Sequence, residues 1–244
     1  IQLAKPNGLE AAAAGALFQG IRTEHRDWID RALPEGAEAA LVWTGRTDRF
    51  TVNLNEFFSR GVGPIYVTDL GVPGSLPETR LALDPGTGEF DPPVRARYAV
   101  VDGSIAPDGR VLARDEGWGL ALWELEGGEL ISTTSVEGLY PNDTWSGREV
   151  RWRRLRCDGG ELRVALSSDP SLFSRDQIVT AFTSFDTEIS KRIGPREQAT
   201  LVVPLTRQAG TCEVRFRLAR TAVPGNGDAR VLGAHFDGFD YRAP

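Results

Sequence analysis

The apolar and polar positions of this chain follow two different patterns in its two halves. In the first half, the run AEAALVWTG (37–45) is almost continuously apolar, which is typical of a parallel strand buried on both faces. Helical spacing predicts helices over 23–33 and 47–61, and short apolar runs at 63–70 and 96–103 predict two more buried strands. This order of helices and strands predicts a small parallel α/β sheet with right-handed crossovers.

Two further segments belong to this first half. Residues 109–128 have the pattern of an edge hairpin that turns at Glu116–Gly117. The connection 71–95 is rich in proline and glycine, so we expect it to run over the surface.

The second half lacks a helical pattern from about residue 130 onward. Strand-like runs occur at 149–157, 161–168, 177–185, 188–193, 198–205, 211–220 and 230–242. Short strands separated by turn residues predict an antiparallel sandwich of jelly-roll type. The apolar positions change parity after Asp237–Gly238, which predicts a β-bulge there. We place the domain boundary within 127–136, which divides the chain into 1–130 and 131–244.

Two cysteines point to a common interior. Cys212 lies on the apolar face of the alternating run TCEVRFRLA. In EVRWRRLRC, the inward set includes Trp152 and resumes at Cys157 after a change of parity, which predicts a β-bulge at Arg153–Arg154. These patterns predict a disulfide and therefore an oxidising, extracytoplasmic compartment. Two buried free thiols are the alternative.

The loop EGLYPNDTWSG combines aromatic rings with polar groups. A pyranose stacks its C–H face on aromatic rings, and its hydroxyls need hydrogen-bond partners at the rim. The candidate carbohydrate-binding residues are the rings and polar groups of this loop: Tyr140, Trp145, Asn142, Asp143 and Arg148. In the alternative, Trp145 packs beneath the loop and seals one end of the sandwich, and the sequence leaves both possibilities open.

The overall charge argues against nucleic acid as a partner. The net charge is −6, with acidic and basic residues interspersed, so no dense basic stripe is available for phosphates. No segment reaches the roughly 20 apolar residues of a membrane-spanning helix. The chain opens at Ile1 and contains no methionine, so we expect it to be a piece of a longer protein.

Catalytic motifs are missing from the sequence. His25 and His235 are isolated from any nucleophile motif, and no serine lies in a G-x-S-x-G elbow. The turn after 37–45 could hold an anion beside Arg46 at a helix N-terminus, although an ordinary strand-to-helix turn is the favoured explanation.

No cofactor or metal is predicted, apart from a possible structural Ca²⁺ ion. Its candidate ligands are three loop carboxylates: Asp169, Asp228 and Asp237.

Several strings resemble one family: DWIDRALPEGAEAALVWTGRTDRFTVNLNEFFSRGVGPIYV, ARYAVVDG, EGLYPNDTWSG, SDPSLFSR and VLGAHFDGFDYRAP. In this order they resemble the C-terminal region of large actinobacterial membrane glycosyltransferases. That family has the GT-C superfold, is related to protein mannosyltransferases and uses polyprenyl-phosphate sugar donors. The resemblance spans about residue 22 to the end of the chain.

The resemblance implies context rather than activity for this chain. In the family, the catalytic acid and the donor site lie in the membrane-embedded part, so no catalytic residue carries over. The implied role is a non-catalytic extracytoplasmic tail that binds or positions acceptor glycan in cell-envelope polysaccharide or glycoprotein synthesis. Its partners would be that glycan and the membrane-embedded part of the same parent chain. Some actinobacterial arabinosyltransferases also end in a carbohydrate-binding jelly roll, which is a parallel of fold only.

Two other functional classes remain open. The chain could be a structural or protein-docking module without sugar binding, or a secreted carbohydrate-active hydrolase.

Overall fold

The computed structural model describes residues 27–45, 47, 49–68, 79–103, 105–115, 119–140, 144–183, 187–225 and 227–244. The residues of the first predicted helix before residue 27 and the predicted hairpin turn at Glu116–Gly117 lie outside this part of the chain. Among the described residues, no helix combines the length and the apolar character that crossing a membrane requires.

The first half is an α/β unit. Its helices are α1 (Trp28–Ala32) and α2 (Arg49–Phe58). Its strands are β1 (Ala39–Trp43), β2 (Val62–Thr68), β3 (Thr79–Leu83), β4 (Phe90–Asp91), β5 (Tyr98–Asp102), β6 (Ala106–Pro107), β7 (Gly109–Asp115) and β8 (Leu120–Leu125). All of these strands except β6 form one seven-stranded sheet in the order β4-β3-β2-β1-β5-β8-β7.

Strand β1 lies at the centre of this sheet and pairs in parallel with β2 and β5. Alternate residues of β1 face opposite sides: Leu41 and Trp43 pack with residues of α1 and α2, whereas Val42 packs in a second apolar cluster. Both faces of the strand are therefore buried, which accounts for its continuous apolar run. The predicted parallel sheet is confirmed, and antiparallel strands extend it on both sides.

The connection 71–95 contains structure that the sequence did not predict. Strand β3 pairs in parallel with β2, and β4 pairs antiparallel with β3. These strands are short and lie in a proline- and glycine-rich region, so their periodicity is weak. Leu81 shows why they form, because it is almost fully buried against the sheet's second apolar cluster.

The second half is an antiparallel β-sandwich. Its strands are β9 (Ser132–Leu139), β10 (Ser146–Leu155), β11 (Gly160–Ser167), β12 (Gln177–Thr183), β13 (Glu188–Ile193), β14 (Gln198–Leu205), β15 (Thr211–Leu218) and β16 (His235–Arg242). One sheet has the order β13-β12-β15-β10-β9-β6, and the other has the order β14-β11-β16. Trp152 and Phe216 of the first sheet share one core with Leu162 and Phe236 of the second. The predicted sandwich is confirmed.

The predicted disulfide is confirmed as well. Cys157 and Cys212 are bonded, with a Cα–Cα distance of 5.6 Å, and both are fully buried. Cys157 comes directly after the turn that ends β10, and Cys212 lies in β15. The alternative of two buried free thiols is therefore excluded.

The bulge predicted in the last strand is confirmed. Ala165 pairs with Gly238 and Leu166 pairs with Phe236, so Asp237 is an extra residue in β16. The bulge allows Phe239 to pack against the same core as Phe236.

The bulge predicted at Arg153–Arg154 is wrong. Strand β10 pairs one-to-one with β15 through this region, and Arg154 lies opposite Cys212. Arg154 keeps the parity of Trp152, and its guanidinium lies 4.3 Å from the ring centroid of Tyr241. The strand ends soon afterwards, and the chain turns at Arg156, whose φ is +51°. The turn, rather than a bulge, brings the first cysteine inward.

The two halves contact each other through main-chain and side-chain hydrogen bonds near the predicted boundary. Strand β6 pairs with β9 of the sandwich, and the Ser132 N–H donates to the Gly88 carbonyl over 2.8 Å. The Arg153 guanidinium donates to the Pro85 carbonyl over 3.0 Å. Residues of the first half thus complete an edge of the sandwich, and the independence of domains 1–130 and 131–244 stays a prediction.

Candidate functional site

Several loops meet at one end of the sandwich, where the segment that follows β9 forms hydrogen bonds with the segment that leads into β16. The Ser146 N–H donates to the Ala234 carbonyl over 2.9 Å, and the Gly233 N–H donates to the Ser146 carbonyl over 2.9 Å. The Phe236 N–H donates to the Thr144 carbonyl over 2.8 Å. These bonds fix the end of the aromatic loop to the chain that enters β16. This end of the sandwich is called the loop end below.

Trp145 is buried at the loop end, with 7% of its surface exposed. Its ring lies 3.7 Å from the His235 ring, centroid to centroid, and it clusters with Phe173 and Leu232. The expectation that Trp145 forms an exposed sugar platform is therefore wrong for this residue. The alternative applies instead, because Phe173, Leu232 and the His235 ring reach Trp145 only once the loops have come together.

Tyr140 is half-buried beside this cluster. Its hydroxyl lies 3.1 Å from the Val231 amide nitrogen and 3.2 Å from the Val231 carbonyl oxygen. The Arg230 guanidinium lies 5.2 Å from the centre of the Tyr140 ring and also pairs with Asp228. Hydrogen bonds from the Arg230 side chain lower the pKa of the Asp228 carboxyl. Tyr140 therefore ties the aromatic loop to the β15–β16 connection.

Arg148 lines a surface depression of about 450 Å³ at the loop end. Apolar side chains contribute to the lining: Leu172 and Ala222 from two connections, and Leu218 from the end of β15. Ser174 and Thr221 also line it and carry hydroxyl groups. Asn142 and Asp143, the other predicted rim residues, lie outside the described residues. Their role and that of Arg148 in sugar binding stay predictions.

Two more arginines line the same depression. Arg175 belongs to the β11–β12 connection, and Arg220 follows the end of β15. With Arg148 on β10 they form a group of three exposed cations, called the rim arginines below. Arg175 and Arg220 were not predicted from the sequence, because only the fold brings these separate connections together. The available signal was an arginine at the end of the predicted strand 211–220 and another two residues before the predicted strand 177–185.

Gln177 holds the backbone of this site in place. Its fully buried amide donates to the Arg220 carbonyl over 2.8 Å and to the Gly233 carbonyl over 3.1 Å. Its side-chain oxygen accepts a hydrogen bond from the Arg220 N–H over 3.2 Å. One side chain thus fastens both ends of the β15–β16 connection to β12.

We expect Gln177→Ala to lower the free energy of unfolding by about 1–3 kcal/mol, because it leaves buried backbone groups without partners. Urea denaturation measures this loss. Gln198→Ala, at an exposed position on β14, is the matched control and should change stability little. An equal effect of both substitutions would contradict the anchoring role of Gln177.

The candidate calcium ligands are not gathered into one group. The Asp169 carboxylate accepts a hydrogen bond from the Ser171 N–H over 2.7 Å, and bonds from the Ser171 hydroxyl and N–H lower the Asp169 pKa. Asp228 pairs with Arg230. In the described part of the chain, no three His, Cys, Asp or Glu side chains come together as a metal site.

The turn between β1 and α2 has an internal partner for its amides. The buried Asp102 carboxylate, at the end of β5, accepts hydrogen bonds from the Thr44 N–H over 3.1 Å and the Thr47 N–H over 3.3 Å. The Thr44 hydroxyl bonds to the same carboxylate. An internal carboxylate therefore occupies the place considered for an external anion, and this turn is structural. Arg46 lies outside the described residues.

Comparisons with known proteins provide limited guidance. No protein-family model matches the chain, and no curated protein matches it. Among solved structures, the chain is similar to a CBM35 from Cellvibrio japonicus Abf62, with 11% sequence identity. The match covers 60% of this chain and 99% of that one, with a TM-score of 0.28. A score this low does not support any argument about function, so the functional proposal rests on the geometry of the site.

Proposed function

We propose that this chain is a non-catalytic glycan-binding region that acts outside the cytoplasm. The depression at the loop end is the observation that supports this proposal. Apolar side chains such as Leu172 and Ala222 line it together with the hydroxyls of Ser174 and Thr221 and the rim arginines. Saccharides require this combination, because their C–H faces are apolar and their hydroxyls need fixed hydrogen-bond partners.

The buried disulfide supports the proposed location. Disulfides form and persist in oxidising compartments and are rare in the cytosol. Cys157 and Cys212 are bonded within the sandwich core. The resemblance to membrane glycosyltransferases suggests the parent protein, in which this region would position acceptor glycan for the membrane-embedded enzyme during cell-envelope polysaccharide or glycoprotein synthesis.

A binding experiment tests the proposed function. The chain should bind one or more members of an array of bacterial cell-envelope glycan fragments. Calorimetry then measures the affinity for each glycan that binds. Ser174→Trp should abolish this binding, because a large side chain at this exposed position would fill the depression. Thr200→Trp is the matched control, since Thr200 is exposed on β14 and does not line the depression.

Three results would contradict the proposal. If no glycan binds, the chain is better explained as a docking or structural module. If Ser174→Trp and Thr200→Trp bind glycan equally well, the site lies elsewhere on the molecule. Release of reducing sugar from cell-envelope polysaccharide by the isolated chain would instead favour the hydrolase alternative.

A further inference from the structure

The rim arginines lack carboxylate partners, whereas most other arginines of the sandwich have one; Arg154, Arg196 and Arg215 are the exceptions among the described residues. Most arginines elsewhere on this half pair with acidic side chains, as Arg217 does with Glu149 and Arg207 with Asp158. None of the three rim arginines has a carboxylate within ion-pair distance among the described residues. Their charges are therefore not neutralised by these residues.

The nearest acidic residues in sequence are already engaged by other arginines. Glu149, next to Arg148, pairs with Arg217 over 3.1 Å. Asp176, next to Arg175, pairs with Arg192 over 3.5 Å. The Arg220 guanidinium donates to the backbone carbonyl of Asp176 over 3.3 Å. Both carboxylates therefore pair with arginines that do not line the depression.

A positive group of this kind stands out on an acidic protein. The chain carries 28 basic and 34 acidic residues, for a net charge of −6, yet the described residues that line the depression include three arginines and no acid. Like charges around one small depression repel each other, so this arrangement favours an anion as the missing partner. The planar guanidinium matches the oxygen pairs of carboxylate and phosphate.

We propose that the rim arginines bind the acidic group of an anionic saccharide. This inference rests on the proposed glycan-binding function and specifies its ligand class. The acidic group would lie against the guanidiniums, and the C–H face of the sugar ring would lie against Leu172 and Ala222. The chemistry common to the candidate ligands is a carboxylate or a phosphate attached to a sugar ring.

The test compares acidic sugars with their neutral counterparts at low ionic strength. The probes are glucuronic acid against glucose, and mannose 6-phosphate against mannose, with binding followed by NMR titration of the intact chain. We expect the acidic member of at least one pair to bind tenfold or more tightly, since hydrogen bonds to charged groups contribute that much. The preferred pair identifies the acidic group. Added salt should weaken this binding.

Substitutions then assign the effect to the rim arginines. Arg175→Gln and Arg220→Gln should each weaken binding of the acidic probe by about tenfold while leaving the neutral sugar unaffected. Arg114→Gln is the matched control, because Arg114 is exposed on β7 in the first half and has no carboxylate partner there either. Circular dichroism confirms that each variant is folded.

Each contrary result has a distinct meaning. Equal binding of neutral and acidic sugars, unchanged in the arginine variants, would overturn the acidic ligand class and leave glycan binding intact. Binding of inorganic phosphate as tightly as mannose 6-phosphate would overturn the saccharide assignment. The absence of binding by any sugar, on this test and on the glycan array, would overturn both proposals.

Discussion

Replacing Trp145 with alanine is expected to lower the free energy of unfolding by ~3–5 kcal/mol. Only 7% of the Trp145 surface is exposed. Removal of the side chain would leave a cavity between Phe173, Leu232 and His235. Because the loop end also lines the depression, the loss should loosen the site together with the fold. Chemical denaturation followed by circular dichroism measures the change.

Phe57→Ala is the matched control for this experiment. Phe57 is also a large aromatic residue, but 63% of its surface is exposed, so its truncation removes little buried area and should change stability far less. If Trp145→Ala unfolded at the same denaturant concentration as the wild type and lost only glycan binding, Trp145 would be a binding platform after all.

Reducing the Cys157–Cys212 disulfide is expected to lower the free energy of unfolding by about 4 kcal/mol. The bond closes a loop with a sequence separation of 55 residues, and the chain-entropy relation gives roughly this value for a loop of that length. The effect arises in the unfolded chain, which gains conformational freedom once the cross-link is broken. Unfolding curves with and without reductant measure it on the same polypeptide.

Thiol titration provides the companion measurement for the disulfide. The denatured, unreduced protein should contain no reactive thiol, because Cys157 and Cys212 account for both cysteines of the chain. The chain with both cysteines replaced by alanine serves as a control and should be insensitive to reductant. Two reactive thiols in the unreduced protein would remove the main support for an oxidising compartment.

Local patterns in the sequence were sufficient where burial follows from a strand's own alternation. The apolar run 37–45 indicated a strand buried on both faces, and β1 has that environment. The alternation around Cys212 placed its sulfur in the core, and the parity change after Asp237 located a bulge. In each case the side-chain period of two determines which face a residue occupies, so neighbours in sequence carry the information.

The same reasoning failed where a local pattern had two structural explanations. The parity change between Trp152 and Cys157 looked like a bulge, but a turn at Arg156 produces it. Arg154 could keep its inward parity because it lies against the Tyr241 ring. The contact with Tyr241 in the distant strand β16 thus explains why no bulge is needed at Arg154.

The sequence by itself determined the class of the fold, the disulfide pair and one polar candidate, Arg148, that lines the depression. Only the tertiary structure decided that Trp145 is buried, because Phe173 and Leu232 reach it from other connections. It also brought Arg175 and Arg220 to the same rim, although they lie in separate connections. Loop residues have no periodicity to place them, so the packing of distant strands determines which of them meet.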